Sequence, residues 1–251
     1  MIALITGATS GIGKSVAYIL AQHKYDLIIT GRRAERLNEL KNNLGKEYNI
    51  KVQSLCFDIR QQEACEQALN TLPSEWKLID VLVNNAGLAA GLAPINAGDV
   101  NDWETMIDTN IKGLLYVSKI VSNWMIERKK GHIVNVGSIA GKEAYANGNV
   151  YCATKHAVDA LNKTMRIDLL PYGIKVSSIN PGMVETEFSL VRFKGDSERA
   201  KQVYKGFNPL TPNDVAESIW WMINRPANVN INEMTIMATY QANSTTTIRQ
   251  E

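Results

Sequence analysis

A tyrosine stands four residues ahead of a lysine, Tyr151-x-x-x-Lys155, in a stretch from Val150 to Leu161 where Ala153, Ala157, Ala160 and Leu161 favour helix. That spacing sets both side chains on one helical face, one turn apart. The chemistry such a pair offers is proton transfer. A phenol with an ordinary pKa near about 10 works as a base at neutral pH only if its anion is favoured by about 3 pH units, or about 4 kcal/mol. One ammonium about 4 Å away, at an effective dielectric of about 20, supplies about 4 kcal/mol. The lysine is therefore sufficient in magnitude. The same spacing also arises by chance in many helices, so the pair alone does not decide an activity.

A second constellation lies near the start of the chain, in Thr6-Gly7-Ala8-Thr9-Ser10-Gly11-Ile12-Gly13, between an apolar run and an amphipathic one. Glycines here permit a tight turn, let the backbone approach a pyrophosphate, and let a helix pack closely on its strand. The free amides at that helix start would meet the phosphate charge. The candidate contacts are Gly7, Thr9, Ser10, Gly11, Ile12 and Gly13, in a Gly-x-x-x-Gly-x-Gly spacing. About 20 residues further on, where an acid usually holds a ribose 2′-hydroxyl, the chain has Gly31-Arg32-Arg33. Guanidinium forks hold a 2′-phosphate with paired charge-assisted bonds, whereas a carboxylate repels it. Arg32 and Arg33 thus favour NADP over NAD; the other reading is a solvated pair on a loop.

These residues need a scaffold that brings them to one edge. Short apolar runs at Ala3 to Thr6, Asp26 to Thr30, Lys51 to Phe57, Val81 to Asn84, Gly131 to Val136, Lys175 to Asn180 and Glu233 to Met237 alternate with amphipathic stretches. The pattern predicts a single-domain α/β chain over residues 1–251, a Rossmann-type doubly wound parallel sheet with helices on both faces. Helices are expected at Gly13 to His23, Ala34 to Leu44, Asn101 to Asn123 and Asp214 to Asn224. Residues 182–212 follow a predicted strand and read as a substrate lid, since ligands of open α/β sheets sit beyond the carboxyl ends of strands. The polar stretch 238–251 reads as a disordered tail.

With 251 residues, 45% hydrophobic content and 27 basic against 25 acidic groups, net +2, the chain has one substantial core and no electrostatic footprint for nucleic acid or anionic membrane. No apolar stretch approaches the roughly 18 residues of a membrane span, and no basic leader precedes the first run. Cys56, Cys65 and Cys152 have neither metal spacing nor an even count, and His23, His132 and His156 form no ligand cluster, so a cytoplasmic protein without a metal is expected.

Taken in order, the glycine turn, Asn84-Asn85-Ala86-Gly87, Asn110, Ser138, Tyr151-x-x-x-Lys155 and Pro181-Gly182 make the chain resemble the short-chain dehydrogenase/reductase superfamily over nearly its whole length. The resemblance implies that Tyr151 is the general acid/base, that Lys155 holds the nicotinamide ribose and lowers the tyrosine pKa, that Ser138 polarises the substrate oxygen, and that Asn110 helps hold a relay water. It further implies cofactor contacts from Asp58 and Ile59, from Asn85, Ala86 and Gly87, and from Pro181, Gly182, Val184 and Thr186. Those roles suit hydride transfer, in which the nascent alkoxide needs a proton donor and a hydrogen-bond donor beside it.

Asp102-Trp103-Glu104-Thr105-Met106-Ile107-Asp108-Thr109-Asn110, Gly148-Asn149-Val150-Tyr151, residues 185–195 and Val229-Asn230-Ile231-Asn232 look like the NADP-dependent 3-hydroxy acid dehydrogenases acting on serine, allo-threonine or malonic semialdehyde. This implies hydride exchange at C3 of a short 3-hydroxy acid, also of the 3-hydroxyisobutyrate or 3-hydroxypropionate type, by a homotetramer. A carboxylate needs a cation in its pocket, and Arg192 in the lid is the candidate, with Lys194 second; a solvated surface position is the alternative for both. Glu143 and Tyr145 either line the pocket or lie on an exposed loop. Two other functions remain to be tested: reduction of a neutral carbonyl or 3-oxoacyl thioester, and a non-catalytic NADP(H)-sensing regulator.

Overall fold

The computed structural model describes residues Met1–Arg249, and in it the seven apolar runs form one parallel sheet. The strands are β1 (Ile2–Ile5), β2 (Asp26–Gly31), β3 (Val52–Cys56), β4 (Val81–Asn84), β5 (His132–Val136), β6 (Lys175–Pro181) and β7 (Glu233–Ile236), in the order β3-β2-β1-β4-β5-β6-β7. Register follows the side-chain alternation of a pleated strand. Ile28, Leu4, Leu82, Ile133 and Val176 pair in one row across five strands, and all five are fully buried on the same face. The next row, Ile29, Ile5, Val83 and Val134, points into the opposite core.

Helices cover both faces: α1 (Gly11–Gln22), α2 (Ala34–Tyr48), α3 (Gln62–Asn70), α4 (Val100–Ile107), α5 (Leu114–Arg128), α6 (Asn149–Leu169), α7 (Phe188–Arg192), α8 (Ser197–Gln202) and α9 (Pro212–Ile223). The core that receives Ile5 and Ile29 is closed by α1, α2 and α9, through Leu20, Leu40 and Ile219 among others. The other is closed by α3 and α5, through Leu69, Val121 and Met125. Strand order reverses between β1 and β4, and the crevice beyond their carboxyl ends is where such a sheet binds ligands.

Three features differ from the pattern read in the sequence. The helix expected over Asn101 to Asn123 is broken by a π-helical turn at Asp108–Gly113 between α4 and α5, which carries buried Asn110. Apolar spacing continues through the break and conceals it. Residues 182–212, where no helix is expected from the sequence, contain α7 and α8, and Leu210 exchanges backbone bonds with Met183 (3.0 Å) and Glu185 (2.9 Å). The stretch from Ala238 to Arg249 packs back on the body, with polar side chains that bind the protein: the Gln241 side-chain oxygen accepts the Met183 N–H at 2.8 Å, and Glu143 accepts from Ser244 N–H at 3.0 Å. Residues 250–251 of that stretch lie outside the described residues. No helix among the described residues is long and apolar enough to cross a membrane.

Candidate active site

The site begins where β1 runs out. Gly7 takes φ +68°, in the left-handed region, and a Cβ there would stand 2.9 Å from the Ala86 Cα. At Gly13 a Cβ would fall on the Asn85 amide and 2.5 Å from the Gly7 carbonyl oxygen, so the start of α1 is tucked under the turn. The turn is stapled to the end of β4: Asn85 Nδ2 donates to the carbonyls of Thr6 (2.9 Å) and Gly7 (3.1 Å), and the N–H groups of Asn85 and Ala86 both donate to Thr6 Oγ1 at 3.0 Å. Ser10 opens α1 without a side-chain cap, leaving the first amides of a twelve-residue helix for an anion.

One cleft, about 350 Å³, collects nearly all the residues singled out in the sequence. Its walls include Gly7, Thr9, Ser10, Gly11 and Ile12 of the turn, Arg32 and Arg33, Asp58 and Ile59, Asn85, Ala86 and Gly87, Ser138, Tyr151, Lys155, Pro181, Gly182, Val184 and Thr186. Gly13 and Asn110 do not line it. Asn110 is spent on neighbours: its amide exchanges bonds with the backbone of Leu88 at 2.9 Å in both directions and donates to Thr154 Oγ1 at 3.0 Å. Its side chain clamps the loop after β4 to α6.

At the far end of the cleft the arginines are partly engaged. Arg33 donates to Thr9 Oγ1 (2.7 Å), Ser10 Oγ (2.8 Å) and Glu187 (2.8 Å), and Arg36 reaches the other oxygen of Glu187 at 2.7 Å. Those two arginines hold the Glu187 carboxyl below its ordinary pKa, the Arg33 bond first. The Arg32 side chain is 56% exposed, with its guanidinium 3.9 Å from Asp58. Asp58 belongs chiefly to Arg60, at 2.6 Å, whose hydrogen bond lowers the acid's pKa. The cleft end therefore presents guanidinium groups and an uncapped helix start, with no acid at the end of β2. These residues suit an anionic dinucleotide carrying a further phosphate. Glu187 is the carboxylate the sequence reading missed, because it lies 154 residues from Arg33 and no local spacing links them.

At the near end Ser138, Tyr151 and Lys155 are all buried. Tyr151 and Lys155 share α6, as their spacing predicts, but the electrostatics differ from expectation. Lys155 Nζ donates to the Val136 carbonyl at 3.0 Å, and burial pulls its pKa down to about 8. Burial raises the Tyr151 pKa; Tyr145 adds to this, and the Ser138 hydroxyl pulls the other way. The Lys155 ammonium is turned to Val136 and is itself desolvated, and the largest influence on the Tyr151 phenol is burial. Burial wins, and Tyr151 is a neutral phenol at pH 7.

Beside Tyr151 the lid contributes Phe188, with its ring 5.6 Å away, and Arg192, whose guanidinium lies 5.7 Å from the Tyr151 ring centre. Arg192 is half-buried and has no carboxylate within ion-pair reach among the described residues. Lys194, the second candidate cation, is already paired with Asp102 at 3.0 Å and Asp99 at 3.3 Å. A cavity of about 250 Å³ adjoins Tyr151 and Arg192 and is lined also by Trp103, Met106 and Asn149. A group of three or more potential metal ligands is absent among the described residues.

The chain is similar to known proteins over nearly its whole length. The pattern of the short chain dehydrogenase family matches residues 1–196. An NADP-dependent 3-hydroxy acid dehydrogenase of Escherichia coli (strain K12) is 49% identical over 243 residues, 96% of each chain. The serine 3-dehydrogenase of Rhizobium radiobacter is 44% identical over 239 residues, 95% of this chain and 94% of that one. The solved closed form of a serine dehydrogenase complexed with NADP+ superposes with a TM-score of 0.93 at 47% identity, covering 100% of both chains. The chain is thus similar to these proteins over nearly its whole length, and it belongs to the short-chain dehydrogenase family.

Proposed function

We propose that the chain is an NADP(H)-dependent dehydrogenase acting at C3 of a short 3-hydroxy acid, of the serine, allo-threonine, 3-hydroxyisobutyrate or 3-hydroxypropionate type. The observation that carries the substrate class is Arg192: a half-buried guanidinium without an acidic partner among the described residues, 5.7 Å from the ring of Tyr151. A cation so placed is matched by a carboxylate two carbons from the reacting alcohol. The names of the relatives, a 3-hydroxy acid dehydrogenase and a serine 3-dehydrogenase, support the same reading.

When bound, the nicotinamide supplies or accepts the hydride. The chain's residues do the rest. The amides at the start of α1 and the turn from Gly7 to Gly13 hold the pyrophosphate, while Arg32 and Arg33 hold the 2′-phosphate. Asp58 and Ile59 flank the adenine; Asn85, Ala86, Gly87 and Lys155 bind the nicotinamide ribose; Pro181, Gly182, Val184 and Thr186 line the nicotinamide end. Ser138 donates to the substrate oxygen, and Tyr151 takes the hydroxyl proton on oxidation and returns it on reduction. Asn110 keeps the 86–88 loop against α6, and residues 182–212 form the lid. The reading extends to a cytoplasmic homotetramer: Cys56, Cys65 and Cys152 are free thiols, and Ile167 and Leu170, 70% and 71% exposed, offer apolar surface to a second copy.

The test is cofactor reduction by purified protein with serine, allo-threonine, 3-hydroxyisobutyrate and a neutral secondary alcohol, each with NADP+ and NAD+. Turnover of the acids with NADP+ is expected. Activity confined to the neutral alcohol would discard the carboxylate assignment. Cofactor binding without turnover, in either direction and with carbonyl substrates included, would leave a sensor.

A further inference from the structure

Arg192 is a long side chain on a five-residue helix, and a recognition cation needs a fixed direction to be selective. Its fork is held from two sides. Nη2 donates to Tyr145 Oη at 2.9 Å, and Nε donates to the Gly91 carbonyl at 3.4 Å, a longer bond. The Gly91 N–H in turn donates to the Arg192 carbonyl at 3.0 Å, so the end of α7 is docked on the loop after β4. The N–H groups on Nη1 have no acceptor among the described residues, which leaves one end of the fork for a ligand. Tyr145 also packs beneath the guanidinium, its ring centre 5.5 Å from Cζ, nearly the same distance as the Tyr151 ring on the other contact. The guanidinium is thereby braced by two tyrosines, one of them the proposed acid/base.

Tyr145 is itself rigidly seated. Its ring lies against Gly148 so closely that a Cβ there would stand 2.6 Å from the ring Cζ, and Gly148 caps the start of α6, the helix carrying Tyr151. The loop from Ser138 to Gly148 thus reaches the lid through one hydroxyl. Burial raises the Tyr145 pKa, so that hydroxyl is neutral at working pH and repels no anion.

We infer that Tyr145 is a positioning residue for substrate selection: its hydroxyl and ring aim Arg192 so that the free end of the fork receives the substrate carboxylate at a fixed distance from Tyr151. This rests on the 3-hydroxy acid reading above. Tyr145 does not line the cleft or the adjoining cavity, so it acts through Arg192 and not on the substrate.

The experiment uses 3-hydroxyisobutyrate and its methyl ester as a charged and neutral pair, with NADP+, on wild type, Tyr145→Phe, Arg192→Gln and the double variant. Tyr145→Phe keeps the ring on Gly148 and removes only the hydroxyl. Its KM for the acid should rise about tenfold, the scale of a lost hydrogen bond to a charged group, while kcat stays within about twofold. KM for the ester and the affinity for NADP+ should not move, which also reports that the variant is folded. Arg192→Gln should raise KM for the acid further, and adding Tyr145→Phe to it should change nothing more. If Tyr145→Phe raises KM for acid and ester alike, or adds its full effect on top of Arg192→Gln, the positioning role is overturned. If wild type prefers the acid and Tyr145→Phe leaves that preference intact, this inference fails while the substrate reading stands. If wild type does not distinguish acid from ester, the substrate reading fails and takes the inference with it.

Discussion

The Tyr151 phenol is held above its ordinary pKa by burial, and Lys155, pulled down to about 8, is an ammonium only below that pH. Reduction needs the protonated phenol, which is the form present across the neutral range; oxidation needs the phenolate, which is scarce there. The kcat/KM for oxidation should therefore climb as pH rises from about 7 toward about 10, while reduction stays level and then declines as the phenol is lost. Tyr151→Phe should lower kcat by about 100-fold or more in both directions and leave NADPH affinity nearly unchanged, because one oxygen is removed from a ring that stays in place. Rates in both directions measured against pH, with NADPH affinity by fluorescence, check this; a wild-type rate in the variant would remove Tyr151 from the proton path.

At the scale of elements, the lid and the nucleotide end of the cleft are tied by Glu187, immediately before α7, which bridges Arg33 and Arg36 of the β2–α2 region. All three side chains are about 40% exposed or more, so the pairs contribute at most about 1 kcal/mol, equivalent to about a fivefold change in lid opening. Glu187→Gln should speed proteolytic cleavage within residues 182–212 by a few-fold. Arg33→Ala should do the same and also weaken NADPH much more than NADH. Equal loss of both cofactors would refute a 2′-phosphate role for Arg33, and unchanged cleavage in both variants would refute the tie. These contacts mark where sequence reading stops. The seven strands and the shared face of Tyr151 and Lys155 were legible because period and spacing are local properties. The partners that neutralise Arg33, saturate Asn110 or hold Arg192 come from distant segments, and only the folded chain brings them together. The π-helical turn was illegible for another reason: inserting one extra residue in a turn leaves the apolar periodicity on either side intact.

For the molecule as a whole, the sheet that positions the site contains a titratable group that takes no part in it. His132 opens β5, is 6% exposed, and shares a 2.7 Å hydrogen bond with Ser177 on the neighbouring β6. Burial, with the nearby Lys175 cation adding, lowers its pKa from 6.5 to about 4. The fold accepts only the neutral ring, whereas the unfolded chain protonates it below about pH 6.5. The stability linked to this residue is therefore complete above about pH 6.5 and is lost as pH falls toward about 4, amounting to about 3 kcal/mol over that window. Carboxylates such as Asp80 and Asp159, whose pKa values are lowered in the fold, lose their contribution further down, below the ordinary carboxylate range, so the two effects separate on the pH axis. Urea unfolding at fixed protein concentration should show wild type losing about 2.5 kcal/mol more than His132→Gln between about pH 7 and pH 4.5, even if the variant starts lower. Parallel curves for the two proteins would mean that His132 is protonated without cost, and the centre of the sheet would then be more hydrated than its burial implies.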